Sequence, residues 1–291
     1  MLKKDGVIRV DGGLTTGTAE ALRTHILTEL EANRAEIASG TLRAEDVLGT
    51  ELDRKSRTDY LLSFGPPTDP ATASPACPHP VAAALNELFG DNGKLRQLYE
   101  TIVTKKGLLY ELACMTTYPG SDRQAIHSDY AYQDEPALYS IFVALQDVTM
   151  AMGPTTFLPG TNTRADAARF KDKATFDDYL RNKTPRVALL KAGDLVCYDP
   201  RVLHCGAENQ PDSGTVRAMF TVGFRNPRFT KDFGWKGSLR TAYSQKIAFG
   251  DVTSALSGYN PATARQDPFA KWGNGMWAVN GKGGKGGRGG M

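Results

Sequence analysis

Cysteine is scarce and unpaired in this 291-residue chain. Only Cys77, Cys114, Cys197 and Cys205 occur, and no two stand as Cys-x-x-Cys. That excludes a disulfide framework and offers no zinc-finger spacing. No apolar run approaches the roughly 20 residues of a membrane span. The opening MLKKDGVIRVDGG has no secretory apolar core, and the chain does not end in Ser-Lys-Leu, the peroxisomal address. The expectation is an intracellular, cytoplasmic protein with reduced thiols. Excess charge is also missing. The net charge is +3, and Lys282, Lys285 and Arg288 near the C-terminus account for all of it. A near-neutral body carries no electrostatic footprint for nucleic acid or an acidic membrane, so neither is expected as a partner.

What is present reads as one domain over residues 1–280, followed by a flexible glycine-rich tail, 281–291, too poor in apolar residues to order itself. Residues 1–13 read as a first strand and a turn. Within a helical N-terminal part, 14–106, Leu22, Ile26, Leu30 and Ile37 mark one face of a helix over 16–38. Residues 40–79 are polar and proline-rich and read as an irregular covering stretch. Pro80 suits a first helical position, and the helical pattern runs on, broken at Gly90–Gly93, to residue 102. After Gly107 the period changes. Leu108–Tyr118, Ala137–Val148, Arg186–Leu190, Leu195–Tyr198 and Val216–Phe224 are rich in β-branched, aromatic and apolar residues, with a helical insert at Ala165–Asn182. Helices first and many short strands later indicate a mainly β core, 107–227, with flanking helices. Residues 228–280 give no clear period and are expected to cover that core.

Chemistry concentrates in a few positions. In His127-Ser128-Asp129, side chains two apart on an extended segment face the same way. His204, one of only four histidines, follows 77 positions later, just after the strand Leu195–Tyr198. Two histidines and one carboxylate form the facial triad that leaves open positions on a non-haem iron. A surface His-Asp pair with an unrelated core histidine would give the same triple. Thirteen positions on, Arg217 stands inside the apolar run Val216-Arg217-Ala218-Met219-Phe220. A buried arginine needs an anion, and its planar fork suits a carboxylate; that anion is either a ligand or an internal Asp or Glu. His25 reads as a structural residue in mid-helix. Cys197 and Cys205, near His204, read as buried thiols.

The segments YPGSDRQAIHSD, LYSIFVALQDVTMAMGPTTFLPGTN, KAGDLVCYDPRVLHCGAENQ and VRAMFTVGFRNP, in this order and spacing, resemble the phytanoyl-CoA dioxygenase-like family of iron(II)/2-oxoglutarate oxygenases. The resemblance spans roughly Asp5 to Pro227. It implies a double-stranded β-helix (jelly-roll) core. It also implies iron held by His127, Asp129 and His204, and the far carboxylate of 2-oxoglutarate held by Arg217. By the same resemblance Gln124 is a polar position beside the co-substrate and Phe142 a bulky wall. Gly153-Pro154 and Pro159-Gly160 match a turn that shapes the pocket.

Related halogenases have Gly or Ala in place of Asp129, so its presence favours hydroxylation of a small organic molecule with release of succinate and carbon dioxide. The resemblance also implies dioxygen as the other substrate, with ascorbate as an accessory reductant. Two alternatives stay open from sequence: a desaturase, epoxidase or ring-forming oxidase on the same iron site, and a non-catalytic jelly-roll binding protein. Substrate identity and the choice between monomer and dimer are not written in the sequence.

Overall fold

The structure is a computed structural model, and it describes residues 1–49, 56–64, 79–172, 174–232, 234, 236–264 and 267–273. Cys77, Phe233, Trp235, Trp277 and the glycine-rich tail lie outside the described residues. No helix among them is long and apolar enough to cross a membrane.

Nine strands form two antiparallel sheets among the described residues. They are β1 (Val7–Val10), β2 (Arg57–Leu61), β3 (Leu109–Thr117), β4 (Leu138–Ala144), β5 (Thr155–Phe157), β6 (Arg186–Val187), β7 (Leu195–Tyr198), β8 (His204–Gly206) and β9 (Arg217–Arg225). The large sheet runs β1-β7-β4-β9-β3-β2 and the small one β6-β5-β8. The two sheets contribute opposite walls of one cavity, the arrangement of a jelly roll.

Alternation along the large sheet, shifted once on β3 between Leu109 and Glu111, gives each face its own chemistry. On β9, Ala218, Phe220, Val222 and Phe224 join the main apolar core, while Arg217, Met219 and Thr221 line the cavity. That core is completed by helix α2 (Thr16–Ser39), through Leu22, Ile26 and Leu30, and by helix α4 (Pro80–Phe89), through Leu85, Leu88 and Phe89. The short helices α1 (Leu2–Asp5), α3 (Ala44–Val47), α5 (Arg96–Ile102), α6 (Arg164–Lys171), α7 (Phe176–Arg181), α8 (Phe249–Ala255) and α9 (Ala270–Gly273) complete the described set. Thr15 caps α2, its hydroxyl accepting from the Thr18 amide at 3.2 Å. His25 is buried on α2, away from the cavity. His79 is the N-cap residue of α4, with Pro80 in the first helical turn.

The C-terminal segment packs on this same core through Tyr243, Ile247, Phe249 and Phe269. Phe224 is the joint. It meets Phe89 of α4 at 5.7 Å and Phe249 of α8 at 5.1 Å, both edge-on. We expect Phe224→Ala to remove about 3–5 kcal/mol of stability, read as a lower denaturation midpoint with an unchanged slope. A loss under about 1 kcal/mol would show that this joint carries little.

Three expectations need correction. Residues 1–13 open with the helical turn α1, and the strand begins only at Val7, after Gly6 takes φ 71°. Residues 40–79 are not irregular throughout. Arg57–Leu61 is an edge strand with every residue buried. Its polar letters disguise it, because Arg57 and Asp59 face the internal cavity rather than solvent. Thr58 and Tyr60 turn the other way and accept hydrogen bonds from Arg34 and Asn33 of α2 at 3.0 and 2.6 Å. The short strands β5 and β8 also lay outside the strands read from sequence; three residues give no measurable period.

Candidate functional site

Backbone pairing brings the two histidines together. The His127 amide donates to the His204 carbonyl at 2.9 Å, and the His204 amide returns the bond at 2.8 Å. This extends the small sheet beyond β8 and leaves the imidazole centroids 4.6 Å apart. The Asp129 amide donates to the Pro200 carbonyl at 3.0 Å, which fixes the carboxylate beside them.

Each ring is oriented by its own chain. His127 Nδ1 lies 2.9 Å from the Ala125 carbonyl, and His204 Nδ1 lies 2.9 Å from the Val202 carbonyl. A carbonyl can only accept, so Nδ1 carries the proton and Nε2 presents the lone pair. Asp129 Oδ1 stands 3.7 Å from His127 Nε2 and 3.3 Å from His204 Nε2. One ligand atom from each of the three lies within 4.8 Å of the others. Ligands at about 2.1 Å from a common ion would be roughly 3 Å apart at right angles, so the donor set fits a metal. The Tyr198 hydroxyl donates to Asp129 Oδ2 at 3.4 Å, orienting the carboxylate from behind. Burial alone would push the Asp129 carboxyl up, but His204, His127 and Tyr198 together hold it below the usual range. Burial likewise opposes the charged form of His204, and Asp129 outweighs it, so that ring is raised.

The triad opens on a cavity of about 390 Å³, within the range of small-molecule sites. Arg217 lies on its wall, 2% exposed, opposite Thr117 in register. Its Nη2 donates to Thr117 Oγ1 at 3.1 Å, while the buried Nε and Nη1 have no hydrogen-bond partner. No carboxylate among the described residues lies within salt-bridge distance of it, which rules out the internal ion pair left open by sequence. Burial pushes Arg217 down to about 9, and the neighbouring positive charge of Arg57 acts in the same direction. Arg57 itself is anchored by the Asp122 and Ala207 carbonyls at 2.7 and 3.0 Å. Arg57 and Arg217 thus set two buried guanidiniums on the wall of one cavity.

Gln124 and Phe142 also line this cavity. Gln124 Oε1 accepts from the Gly206 amide at 2.8 Å, bracing β8. The Phe142 ring stands 5.0 Å from that of Tyr198. Gly153 takes φ 69° where a Cβ would collide with the Ala207 carbonyl, so the turn before β5 requires glycine there. Cys197 faces the main core, and neither it nor Cys205 joins the donor set.

Sequence reasoning missed Arg57, Asp59, Glu111 and Tyr198 on the cavity wall. Glu111 carried the same signal as Arg217: a charged residue inside an apolar strand.

The family model for phytanoyl-CoA dioxygenase (PhyH) matches residues 2–218. The chain belongs to this family. It is accordingly a 2-oxoglutarate-dependent non-haem iron oxygenase that takes dioxygen and a small-molecule substrate. Comparison with curated protein sequences gave no match. Among solved structures the chain is similar to SnoK, a non-haem α-ketoglutarate-dependent carbocyclase from nogalamycin biosynthesis, at 15% identity and TM-score 0.48, covering 77% of this chain and 81% of that one. It is also similar to AviO1 from Streptomyces viridochromogenes, at 16% identity and TM-score 0.47, covering 79% and 94%. HygX from Streptomyces hygroscopicus, solved with nickel and 2-oxoglutarate bound, is similar at 15% identity and TM-score 0.45, covering 79% and 86%.

Proposed function

We propose that this oxygenase hydroxylates a small organic molecule, with His127, Asp129 and His204 holding iron(II) and Arg217 holding the far carboxylate of 2-oxoglutarate. The observation that carries the reading is Arg217. It is a buried guanidinium with two unpartnered nitrogens, in the same cavity as three converged metal donors. A non-catalytic binding protein has no chemical need for both features in one cavity.

When bound, iron(II) supplies the redox chemistry that couples dioxygen and the decarboxylation of 2-oxoglutarate to C–H oxidation. The chain's own residues do the rest. Arg217 and Thr117 fix the carboxylate end of the co-substrate, and Arg57 adds a second positive charge beside it. The Ala125 and Val202 carbonyls hold the imidazoles in the tautomer that keeps Nε2 available. Tyr198 keeps Asp129 turned toward both rings. Phe142 walls one side of the cavity and excludes water, and Gln124 ties the segment before His127 to β8.

The test is a small-metabolite pool incubated with iron(II)-loaded protein, with and without 2-oxoglutarate. The expected result is a co-substrate-dependent mass gain of one oxygen in one component, matched by succinate. A loss of two hydrogens would replace hydroxylation with desaturation. Succinate no higher than with the heat-killed protein would overturn the enzymatic reading.

A further inference from the structure

Glu111 is a second buried charge on the cavity wall, and nothing assigned so far uses it. It is 3% exposed. Its one hydrogen bond among the described residues comes from the Ser140 hydroxyl. No lysine, arginine or histidine among them lies within salt-bridge distance. The charges acting on it, Asp129 and Asp59, are both negative. A carboxyl buried under those conditions is destabilising unless a cation or a strong donor arrives.

The fold makes room for it. Glu111 pairs in register with Gly223 of β9, and a Cβ at position 223 would overlap Glu111 Oε2. Arg217 and Glu111 mark opposite ends of the inward face. Arg217 pairs with Thr117, six residues along β3 from Glu111, roughly 20 Å of extended strand. The cavity therefore has guanidinium groups at one end and a buried carboxyl group at the other. Glu111 also shares a register row with the metal donors' support. Gly223 pairs with Ser140, and Ser140 with Tyr198, whose hydroxyl reaches Asp129.

We infer that the substrate carries a protonated amine and that Glu111 is the residue that selects it. This rests on the functional reading above, which gives the arginine end to 2-oxoglutarate and leaves the acidic end to the substrate. An ammonium supplies both the hydrogen bond and the positive charge that the Glu111 site lacks, whereas an alcohol supplies only the first. An anionic substrate would face Glu111 and Asp59. Burial, reinforced by Asp129 and Asp59 and partly offset by Ser140, pushes Glu111 up to about 8. A cation beside it offsets that cost and favours the ionised form.

The test uses anaerobic protein loaded with iron(II) and 2-oxoglutarate, and three probes of one shape: benzylamine, benzyl alcohol and benzoate. Calorimetry should show benzylamine bound at least about tenfold more tightly than the alcohol, with benzoate weakest. Glu111→Gln keeps the size and an acceptor for Ser140. It should erase the preference, leaving iron and 2-oxoglutarate affinity within about twofold. Absence of any preference for the amine, including absence of binding by all three probes, overturns the inference. So does a preference that survives in Glu111→Gln. The visible absorption band of the iron–2-oxoglutarate complex is recorded on the same samples. If it fails to form in the wild type, the functional reading has failed; if it forms and the amine preference is missing, only the substrate assignment has.

Discussion

Arg217→Ala is expected to weaken 2-oxoglutarate binding by roughly a hundred- to several-thousand-fold while iron(II) stays bound. The size follows from leaving a ligand carboxylate buried without its partner, a cost of about 3–5 kcal/mol. Iron retention follows because Arg217 makes no contact with the three metal donors, its one hydrogen bond going to Thr117. Arg217→Lys should fall between wild type and alanine, since it keeps a charge and loses the fork. The alanine variant removes an uncompensated buried charge, so its thermal stability without co-substrate should hold or rise. The measurement is a 2-oxoglutarate titration of the iron-loaded variants, with total iron assayed alongside. Unchanged 2-oxoglutarate affinity in the alanine variant would move the anion site elsewhere in the cavity.

His204→Ala is expected to lose iron on dialysis, weakening affinity by at least about a hundredfold, more than the 10–100-fold that outer partners of metal ligands cost. His204 is buried, and its amide and carbonyl pair with His127. The substitution removes the ligand and leaves the backbone bridge that positions its neighbour. Asp129→Gly should abolish product formation, because the only carboxylate in the donor set is gone. His25→Ala is the control: His25 sits in the α2 core, outside the cavity, and its removal should leave iron content at the wild-type level. Wild-type iron content in His204→Ala, or wild-type turnover in Asp129→Gly, would remove these residues from the metal site.

Legibility in the sequence followed burial and length. Helix α2 and strands β3, β4, β7 and β9 were readable because each sets an apolar face against the same core, and that face writes a period of 3.6 or 2 into the chain. The triad was readable because His127 and Asp129 are close in sequence and histidines are few. Strand β2 was not, since its inward residues, Arg57 and Asp59, meet a polar cavity and make a buried strand look like a surface loop. Arg57 was lost with it, and so was the second guanidinium on the cavity wall. Strands β5 and β8, at three residues each, are held by register to neighbours far along the chain: Phe157 opposite His204, Thr155 opposite Gly206. Such pairings are set by tertiary structure and leave no local period. Residues 228–280 gave no clear period because the apolar residues described there, among them Leu239, Tyr243, Ile247 and Phe249, reach the core from loops and two short helices.

The most direct test of the central claim is visible absorption during an anaerobic titration, iron(II) first and 2-oxoglutarate second. The account predicts one iron per chain and a weak charge-transfer band that grows only when 2-oxoglutarate is added. It also predicts that the band is absent from His127→Ala and His204→Ala and intact in His25→Ala. Full-strength bands in both of the first two variants would contradict it.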